Sequence, residues 1–419
     1  MSAAGSVIGG SPPRCRICDT LLGETFADLG MTPLANSFIQ PGEADRMEPF
    51  YPLHALVCPE CHLVQLAAFA GPAEIFNTYL YFSSFSDSWL RHAEAYARSA
   101  IERFRLGPQN EVVEIASNDG YLLQYFRQAG IPVLGVDPAA NVAAAAIERG
   151  IPTEVAFFGA DTAERLRTSG HAPTLMVANN VLAHVPNLHD FVEGFRILLA
   201  PSGVATFEFP HLLRLMQENQ FDTIYHEHFS YLSLAVVERL FAAHGLVVFD
   251  SEELPTHGGS LRIYARHAAN ARPAPTAAVA ALRAAERAAA LDNIETYRHF
   301  AERVVDTKCA LLEFLIGARR RGERVAGYGA PAKGNTLLNY CGIGTELLRF
   351  TVDRNPHKQG LLLPGSRIPI RDPDAILQSR PDYVLILPWN LREEIAAQLA
   401  VVRGWGARFV VPIPDVTVF

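Results

Sequence analysis

Short apolar strands alternate with helical stretches through the middle of the chain, and this alternation is the strongest constraint on its fold. Strands are predicted at 111–116, 132–136, 174–178, 203–209, 246–251 and 260–266. Helical stretches separate these strands except the last two, which a short turn joins. The alternation predicts an α/β fold with a doubly wound parallel sheet, completed at one edge by an antiparallel hairpin.

Polar residues follow the first two predicted strands, where sheets of this kind bind their ligands. Glu114 and the turn Ser117–Gly120 lie at the end of the first strand, and Asp137 follows the second. An acidic residue at the second position can accept both ribose hydroxyls of an adenosyl group and would repel a 2′-phosphate. The turn contains a single glycine, Gly120, whereas a pyrophosphate needs a more open backbone. S-adenosylmethionine is therefore favoured over NAD.

The layout is that of a class I methyltransferase, and the cofactor contacts are expected at these strand ends. They are Glu114, Ala116, Ser117, Asn118, Gly120, Tyr121, Asp137, Pro138, Asn179 and Asn180. Asn179 and Asn180 continue from the predicted strand 174–178 and should flank the methionine end of the cofactor. The alternative interpretation is that Asp119 and Asp137 are ordinary polar residues at strand ends.

Four of the six cysteines form two CxxC pairs, Cys15 with Cys18 and Cys58 with Cys61, with 39 residues between the pairs. Each pair places two thiolates on a tight turn, and two such turns supply the tetrahedral sulfur shell that zinc prefers. Four protein ligands leave no open coordination position, so the zinc is expected to be structural. A redox dithiol, disulfides, or His62 as a substitute ligand are the alternatives, and a cytosolic chain favours the metal.

Ionisable side chains are concentrated in residues 221–231, just beyond the predicted strand 203–209. Such groups are seldom buried without partners, so the cluster indicates acid–base chemistry. His228 is the candidate base, because histidine titrates near cellular pH. Glu227 is expected to orient or polarise it, and Tyr225 to hydrogen-bond a developing oxyanion. His226 is expected to pack, and a catalytic metal is disfavoured because the two histidines lack HExxH spacing.

The C-terminal third predicts a second α/β sheet. An Ala/Pro-rich linker at 267–283 leads into a helical stretch, followed by strands at 324–328, 348–352, 382–387 and 407–411. The loop 329–335 carries two glycines and Lys333 ahead of a helix. Free backbone N–H groups and the helix dipole make such a loop a natural anion site.

The composition is that of a globular protein with small-molecule partners. Hydrophobic residues make up 49% and charged residues 19% of the chain. The net charge of −8, with one basic cluster at Arg319–Arg321, gives no concentrated basic surface for nucleic acid. No apolar run approaches a membrane span, and residues 1–12 resemble a disordered tail rather than a signal peptide. We therefore expect a cytoplasmic protein. A monomer is consistent with the sequence, and the lone Cys309 and Cys341 are predicted to be buried thiols.

The sequence resembles a family of zinc-containing methyltransferases that methylate carbon in nucleotide-linked 4-keto-deoxysugars. The matching features are Cys15/Cys18/Cys58/Cys61, Tyr79-Leu-Tyr81, Glu114–Gly120, Asn180–Val185, Tyr225–Tyr231, His257–Arg262 and Gly327–Asn335. They occur in family order and cover nearly the whole chain. The resemblance implies a zinc-binding domain, a central S-adenosylmethionine domain and a C-terminal Rossmann-like domain, expected at 13–75, 76–266 and 284–419. It also implies that the substrate binds between the last two.

The family chemistry requires a carbon nucleophile, which forms when a base removes a proton next to a ketone. The resemblance therefore implies that His228 forms an enolate, with methylation expected at C3, and that Tyr79 and Tyr81 close the pocket. His184 could bind the ketone oxygen or act as an alternative base. The expected substrate contacts are Tyr79, His184, Tyr225, His257, Lys333, Asn335, Trp389 and Asn390, and Tyr81 is expected beside the cofactor. His257–Ser260 could instead be only a turn.

Two other functions remain open at this stage. One is O- or N-methylation of a different small molecule, which needs no carbon acid. The other is a non-catalytic zinc-ribbon scaffold that has kept the fold. Within the favoured function, the motifs do not distinguish dTDP, GDP, CDP or UDP as the nucleotide, or C3 from C5 as the methylated carbon.

Overall fold

A computed structural model describes residues 12–69, 83–85 and 87–419. Its strands form three sheets, which we call the N-terminal, central and C-terminal sheets. Tyr79 and Tyr81, both expected at the site, lie outside the described residues. Over the three described ranges, no helix has both the length and the apolar character of a membrane-spanning segment.

The N-terminal sheet is antiparallel and includes a strand from far along the chain. Its strands, in spatial order, are β1 (Glu24–Thr32), β2 (Tyr51–Val57), β3 (Val64–Leu66) and β9 (Ser230–Tyr231). Strand β9 is the end of the ionisable segment 221–231, and it pairs Tyr231 with Val64 and Ser230 with Gln65. The catalytic candidates are therefore joined by backbone pairing to the cysteine-bearing part of the chain.

The central sheet has the predicted doubly wound form. Its strands are β4 (Val112–Ile115), β5 (Val133–Val136), β6 (Thr153–Glu154), β7 (Leu175–Asn179), β8 (Val204–Pro210), β10 (Leu246–Leu254) and β11 (Ser260–His267), in the order β10-β11-β8-β7-β4-β5-β6. Strands β4 to β8 are parallel, and the β10–β11 hairpin is antiparallel. The edge hairpin is therefore confirmed, and the two-residue β6 is the only strand of this sheet that was not predicted.

Helices cover both faces of the central sheet, which explains why its inner strands are buried. They are α1 (Asp87–Phe104), α2 (Leu123–Gln128), α3 (Ala140–Glu148), α4 (Ala160–Thr168), α5 (Leu188–Leu198), α6 (Leu212–Gln217) and α7 (Leu234–Ala243). Every residue of β4 and β7 is buried, as expected for parallel strands covered on both faces.

The predicted linker 267–283 is wrong in its second half. Helix α8 (Ala277–Ala288) begins inside it and buries Val279 with the core of the central sheet. Alanine is the strongest helix former, so an Ala-rich stretch continues as helix once proline ends. Two further helices, α9 (Ile294–Arg298) and α10 (Phe300–Arg320), lead to the C-terminal sheet.

The C-terminal sheet is a second, largely parallel Rossmann-like sheet. Its strands are β12 (Val325–Tyr328), β13 (Thr351–Val352), β14 (Ile370–Arg371), β15 (Tyr383–Ile386), β16 (Arg408–Val411) and β17 (Thr417–Val418), in the order β14-β13-β12-β15-β16-β17. Its helices are α11 (Ala332–Cys341), α12 (Asp374–Ser379) and α13 (Arg392–Gln398). Helix α11 begins earlier than predicted, so Lys333 lies in its first turn.

The N-terminal and C-terminal sheets also contact each other directly. Ile39 pairs with Leu362 in an antiparallel bridge. The Glu48 carboxylate accepts a hydrogen bond from the Gly365 backbone (2.9 Å) and forms an ion pair with Arg367. Segment 221–231 lies where these two sheets meet the central one.

Candidate active site

The ionisable segment contacts all three sheets. It begins after β8 and α6 with a buried 3-10 helix, Phe221–Thr223, and ends as β9 of the N-terminal sheet. Thr336 of α11 donates a hydrogen bond to the Ile224 carbonyl (3.2 Å), which ties the segment to the C-terminal sheet. The first part of the segment is thus tied to the C-terminal sheet and its last part to the N-terminal sheet.

The His228 imidazole is hydrogen-bonded at both ring nitrogens. Nδ1 lies 2.8 Å from the Thr223 carbonyl oxygen, and Nε2 lies 2.9 Å from the Tyr225 hydroxyl. A carbonyl oxygen can only accept, so Nδ1 carries the proton and Nε2 of the neutral ring accepts from Tyr225. Burial, followed by the nearby His184, holds the pKa of His228 well below its usual value. The ring is therefore neutral at physiological pH, with Nε2 as its basic atom.

His184 packs edge-on against His228. Their ring centroids are 4.6 Å apart and their planes are inclined by 72°. Burial lowers the pKa of His184 to about 4, and its hydrogen bond with the Glu227 backbone opposes this only partly. Two neutral imidazoles can adjoin without charge repulsion. The structure therefore brings together Tyr225, His184 and His228, which the sequence analysis assigned to one site.

The Glu227 side chain faces the N-terminal sheet instead of His228. Asn36 Nδ2 donates to Glu227 Oε1 at 2.6 Å, and among the described residues Glu227 has no hydrogen bond to the His228 ring. Burial raises the pKa of Glu227 to about 6, against the Asn36 hydrogen bond and the attraction of Lys358. This corrects the expectation that Glu227 orients the ring, because neighbouring side chains project in different directions. The Thr223 carbonyl holds the ring instead.

His226 packs on the N-terminal sheet, away from the His228 ring. Its Nε2 lies 3.2 Å from the Pro52 carbonyl, and its ring meets Tyr51 edge-on at 5.9 Å. This placement agrees with a packing role.

The loop after β4 has a left-handed backbone at three alternating positions. The φ angle is 54° at Ala116, 51° at Asn118 and 77° at Gly120. This conformation is easiest for glycine, so the loop follows the path of a glycine-rich cofactor loop with alanine and asparagine at two of its positions. The sequence analysis expected all three residues to contact the cofactor, but it recognised only Gly120 as a glycine-loop position. The two-residue spacing of small or amide residues was the signal that could have identified the other two.

Asp137 holds this loop in place. Its Oδ2 accepts from the Asn118 backbone N–H (2.8 Å) and its Oδ1 from that of Ala139 (2.9 Å), across the half-buried Pro138. Each carboxylate oxygen retains a second lone pair, so hydroxyls of a ribose can still be accepted. The residue thus organises the loop first, a role the sequence analysis did not assign.

Four buried side-chain oxygens at the ends of β4 and β7 have no hydrogen-bond partner among the described residues: Glu114 Oε2, Ser117 Oγ, Asn179 Oδ1 and Asn180 Oδ1. Buried polar atoms normally have partners. Burial holds the pKa of Glu114 well above its usual value, despite a hydrogen bond from the Tyr121 hydroxyl. A ligand with hydroxyl and amino groups would satisfy this set, and an adenosylmethionine cofactor carries both.

A turn at 256–259 borders the same edge. Asn180 Nδ2 lies 3.4 Å from His257 Nε2, and the His257 ring lies 5.2 Å from the Trp89 ring. Tyr121 lies 6.0 Å from Trp89. His257 is therefore at the border between the cofactor loop and the space between the central and C-terminal sheets. Trp89 was not predicted, and its position at the start of α1 gave no functional signal.

Trp389 joins the catalytic segment to the C-terminal sheet. It is 7% exposed, and its Nε1 donates to Asp222 Oδ2 at 2.8 Å. Lys333 Nζ lies 4.1 Å from the centroid of the Trp389 ring and donates to Asn390 Oδ1. These contacts make Trp389 an interdomain anchor, a role that the sequence analysis did not assign, and its contact with substrate stays a prediction.

Asp222 and Lys333 are electrostatically linked through this cluster. Burial raises the pKa of Asp222 to about 6, against the attraction of Lys333. Loss of hydration lowers the pKa of Lys333 to about 8, against the attraction of Asp222. Asp222 was not predicted, although its place at the start of the ionisable segment was a signal.

A second buried charge cluster lies under the same edge and was also missed. Glu208, near the end of β8, accepts from Arg262 (2.6 Å), His92 (2.9 Å) and Thr256 (3.0 Å). Burial would raise the pKa of Glu208, but His92 and Arg262 outweigh it and lower that pKa to about 2. Because Thr256 begins the turn that carries His257, the cluster fixes this turn. Arg262 lies opposite Glu208 in the sheet. Two opposite charges on interior strands were the sequence signal for this cluster.

The four N-terminal cysteines converge as a metal site. Their sulfur atoms all lie within 4.8 Å of one another, with Cys15 to Cys61 at 3.4 Å and Cys18 to Cys58 at 3.5 Å. Zn–S bonds of about 2.3 Å in a tetrahedron require sulfur separations of about 3.8 Å, so the four thiolates fit zinc. His62 instead stacks on Tyr297, with ring centroids 5.7 Å apart.

The two remaining cysteines differ from each other. Cys341 is buried as predicted, but Cys309 is exposed, which corrects the expectation for that residue. It lies on α10, whose outer face is turned to solvent.

Comparison with known proteins covers most of the chain. Three family models match it: a zinc binding domain over 15–76, a methyltransferase domain over 89–251, and a C-methyltransferase C-terminal domain over 255–414. The C-methyltransferase NovU of Streptomyces niveus is 40% identical over 405 residues, which are 96% of each chain.

Two solved structures are each similar to a little less than half of the chain. The PH0226 protein of Pyrococcus horikoshii is 16% identical, with 48% of this chain and 99% of that chain covered and a TM-score of 0.37. Magnesium protoporphyrin IX methyltransferase of Synechocystis, with bound S-adenosylmethionine, is 13% identical, with 42% and 78% covered and a TM-score of 0.33.

The full-length relative, the three family models and the cysteine site agree with one another. The protein is an S-adenosylmethionine-dependent enzyme that transfers methyl groups to carbon, and its zinc is structural. The chain therefore belongs to the family of zinc-containing, S-adenosylmethionine-dependent C-methyltransferases.

Proposed function

We propose that the protein methylates a ring carbon, C3 by preference, of a nucleotide-linked 4-keto-deoxysugar by way of an enolate. The observation that carries the proposal is the hydrogen-bonded series Thr223–His228–Tyr225 beside His184. Methyl transfer to carbon requires a carbon nucleophile, and a neighbouring ketone makes a sugar C–H acidic enough to supply one. A neutral imidazole with a fixed tautomer is the base that this chemistry needs.

S-adenosylmethionine, when bound, would supply an electrophilic methyl group whose bond to sulfur breaks, with its electron pair left on the sulfur, as the bond to the enolate carbon forms and the ketone is restored. Before that, the substrate C–H bond breaks: its electron pair forms the C=C bond of the enolate, the carbonyl π pair moves to the ketone oxygen, and the proton forms an N–H bond at His228 Nε2. The low pKa of His228 makes it a weak base, so the site has to stabilise the enolate itself. Tyr225 can do so by turning its hydroxyl from Nε2 to the oxygen, and His184 is a second donor at the same place.

The C-terminal sheet is proposed to hold the nucleotide diphosphate. Lys333 lies in the first turn of α11, where backbone N–H groups and the helix dipole favour an anion. The neighbouring Asn335 is 2% exposed, and its Oδ1 has no partner among the described residues. Lys333 and Asn390 lie next to the catalytic segment through Trp389, so a diphosphate bound here would place its sugar near His228.

The test is methyl transfer from labelled S-adenosylmethionine to a panel of nucleotide-linked 4-ketosugars in heavy water. We expect the label on carbon and exchange of the adjacent hydrogen. His228→Asn should abolish both, whereas His226→Asn, in the same segment but packed on Pro52, should keep them. Label on oxygen or nitrogen with the carbon hydrogen retained would favour a different acceptor. No transfer to any member of the panel would overturn the proposal.

A further inference from the structure

The loop after β1 of the N-terminal sheet contacts the site through the side chain of Asn36. The Asn36 Nδ2 donates to Glu227 Oε1 at 2.6 Å although the residues are 191 positions apart. Glu227 is 7% exposed, whereas Asn36 is exposed. An amide facing an ionised carboxylate can only donate, so this contact favours the charged form.

The Glu227 carboxylate is held by groups from the two outer sheets. Besides Asn36, the charge that faces it is Lys358, whose Nζ donates to the Ala330 carbonyl at 2.9 Å. The Glu227 backbone meets His184, which contacts His228. The Glu227 backbone is thus next to the histidine pair, whereas the carboxylate is held by Asn36 and faces the charge of Lys358.

We infer that Asn36 is a positioning residue: it fixes the Glu227 carboxylate against the N-terminal sheet, and with it the backbone that meets His184, so that docking of the zinc-bearing sheet becomes a condition for methyl transfer. The inference rests on the proposed place of Glu227 in the site. Without Asn36, the buried carboxylate loses a donor to its charged form. Glu227 then takes up a proton at higher pH and no longer anchors the backbone that meets His184.

The test is a carboxyl titration by NMR of the full-length zinc-loaded protein, labelled with carbon-13 glutamate. Glu227→Gln identifies the Glu227 signal by its loss. We expect Asn36→Ala to move the Glu227 titration upwards by about one pH unit, the size usual for loss of one hydrogen bond to a carboxylate. Ser37→Ala, the adjacent exposed residue of the same loop, should leave the titration unchanged.

A control variant distinguishes loss of Glu227 positioning from a weaker contact between the N-terminal and C-terminal parts of the chain. Glu48→Gln weakens the contact with Arg367 and Gly365 but leaves Asn36 and Glu227 intact. In a methyl-transfer assay, Asn36→Ala should lower kcat about tenfold or more. The acid limb of its pH–rate profile should move by the same number of pH units as the Glu227 titration. An unmoved Glu227 titration in Asn36→Ala, or equal shifts in Glu48→Gln, would overturn the inference. Because the titration needs no substrate, failure of the proposed sugar substrate alone would leave its result standing.

Discussion

At the scale of single residues, His228 is constrained at both ring nitrogens, and this determines what Tyr225 can do. The Thr223 carbonyl fixes the tautomer, so loss of the Tyr225 hydroxyl should leave the base in place and remove only the donor. We expect Tyr225→Phe to lower kcat by about 10²- to 10³-fold, as when one oxyanion donor is lost. Cofactor affinity, measured by calorimetric titration, should not change. A normal kcat would rule out Tyr225 as the enolate donor.

Asp222 shows the stability cost of a buried carboxyl at the site. Its folded pKa of about 6 lies above the unfolded value of about 3.9, so the folded state binds this proton more tightly. The contribution of Asp222 to stability is therefore fully present below about pH 4 and is lost as pH rises through about 6.

Asp222→Asn keeps an oxygen for Trp389 Nε1 but cannot ionise. We expect its free energy of unfolding to exceed that of the wild type by about 1–3 kcal/mol above pH 6, with the gain shrinking towards pH 5. Urea unfolding between pH 5 and pH 8 measures this difference. A gain that does not depend on pH would show that ionisation is not its cause.

At the scale of elements, the turn 256–259 fits only because glycine has no Cβ. Gly258 has a φ of 93°, and a Cβ there would lie 2.6 Å from Trp389 Cη2. Gly130, after α2, has a φ of 76° but open space around it.

Both Gly→Ala variants should lose about 1 kcal/mol of stability from the left-handed backbone. Gly258→Ala should also displace Trp389 from Asp222 and lower the methyl-transfer rate at least tenfold, while Gly130→Ala keeps the wild-type rate. Urea unfolding and steady-state kinetics on the pair give both quantities. Equal rates in the two variants would mean that the turn does not hold Trp389 in place.

Elements with a local signal could be predicted from the sequence, and contacts across long chain separations could not. The strands of the central sheet and the edge hairpin follow from apolar runs and alternation. The pairing of Ser230 with Gln65 leaves no local trace, and neither does the contact from Asn36 to Glu227. Asp137 was predicted as a ligand contact, but nothing in the sequence shows that its oxygens hold the loop amides. Strands β6 and β14 have two residues each, too few for a periodicity.

At the scale of the whole molecule, the zinc site is connected to the catalytic segment. Arg16, between two zinc ligands, donates to the Phe229 carbonyl (3.1 Å), and the Leu66 N–H donates to the same oxygen (3.0 Å). Phe229 follows His228 directly. The second cysteine pair joins β2 to β3, and β3 pairs with β9. Zinc therefore stabilises the backbone of the segment that carries His228.

Removal of zinc should consequently abolish methyl transfer without unfolding the C-terminal sheet. After chelation, we expect faster hydrogen exchange at the amides of 228–231 and unchanged exchange in β15, with activity restored by Zn²⁺. Arg16→Met should keep one zinc per chain and still lose part of kcat, because it removes the link to Phe229 and leaves the four cysteines. Full activity after chelation, or equal loss of protection in both regions, would contradict this coupling. A partial loss of kcat in Arg16→Met would assign the coupling to the arginine, since the zinc content of this variant is unchanged.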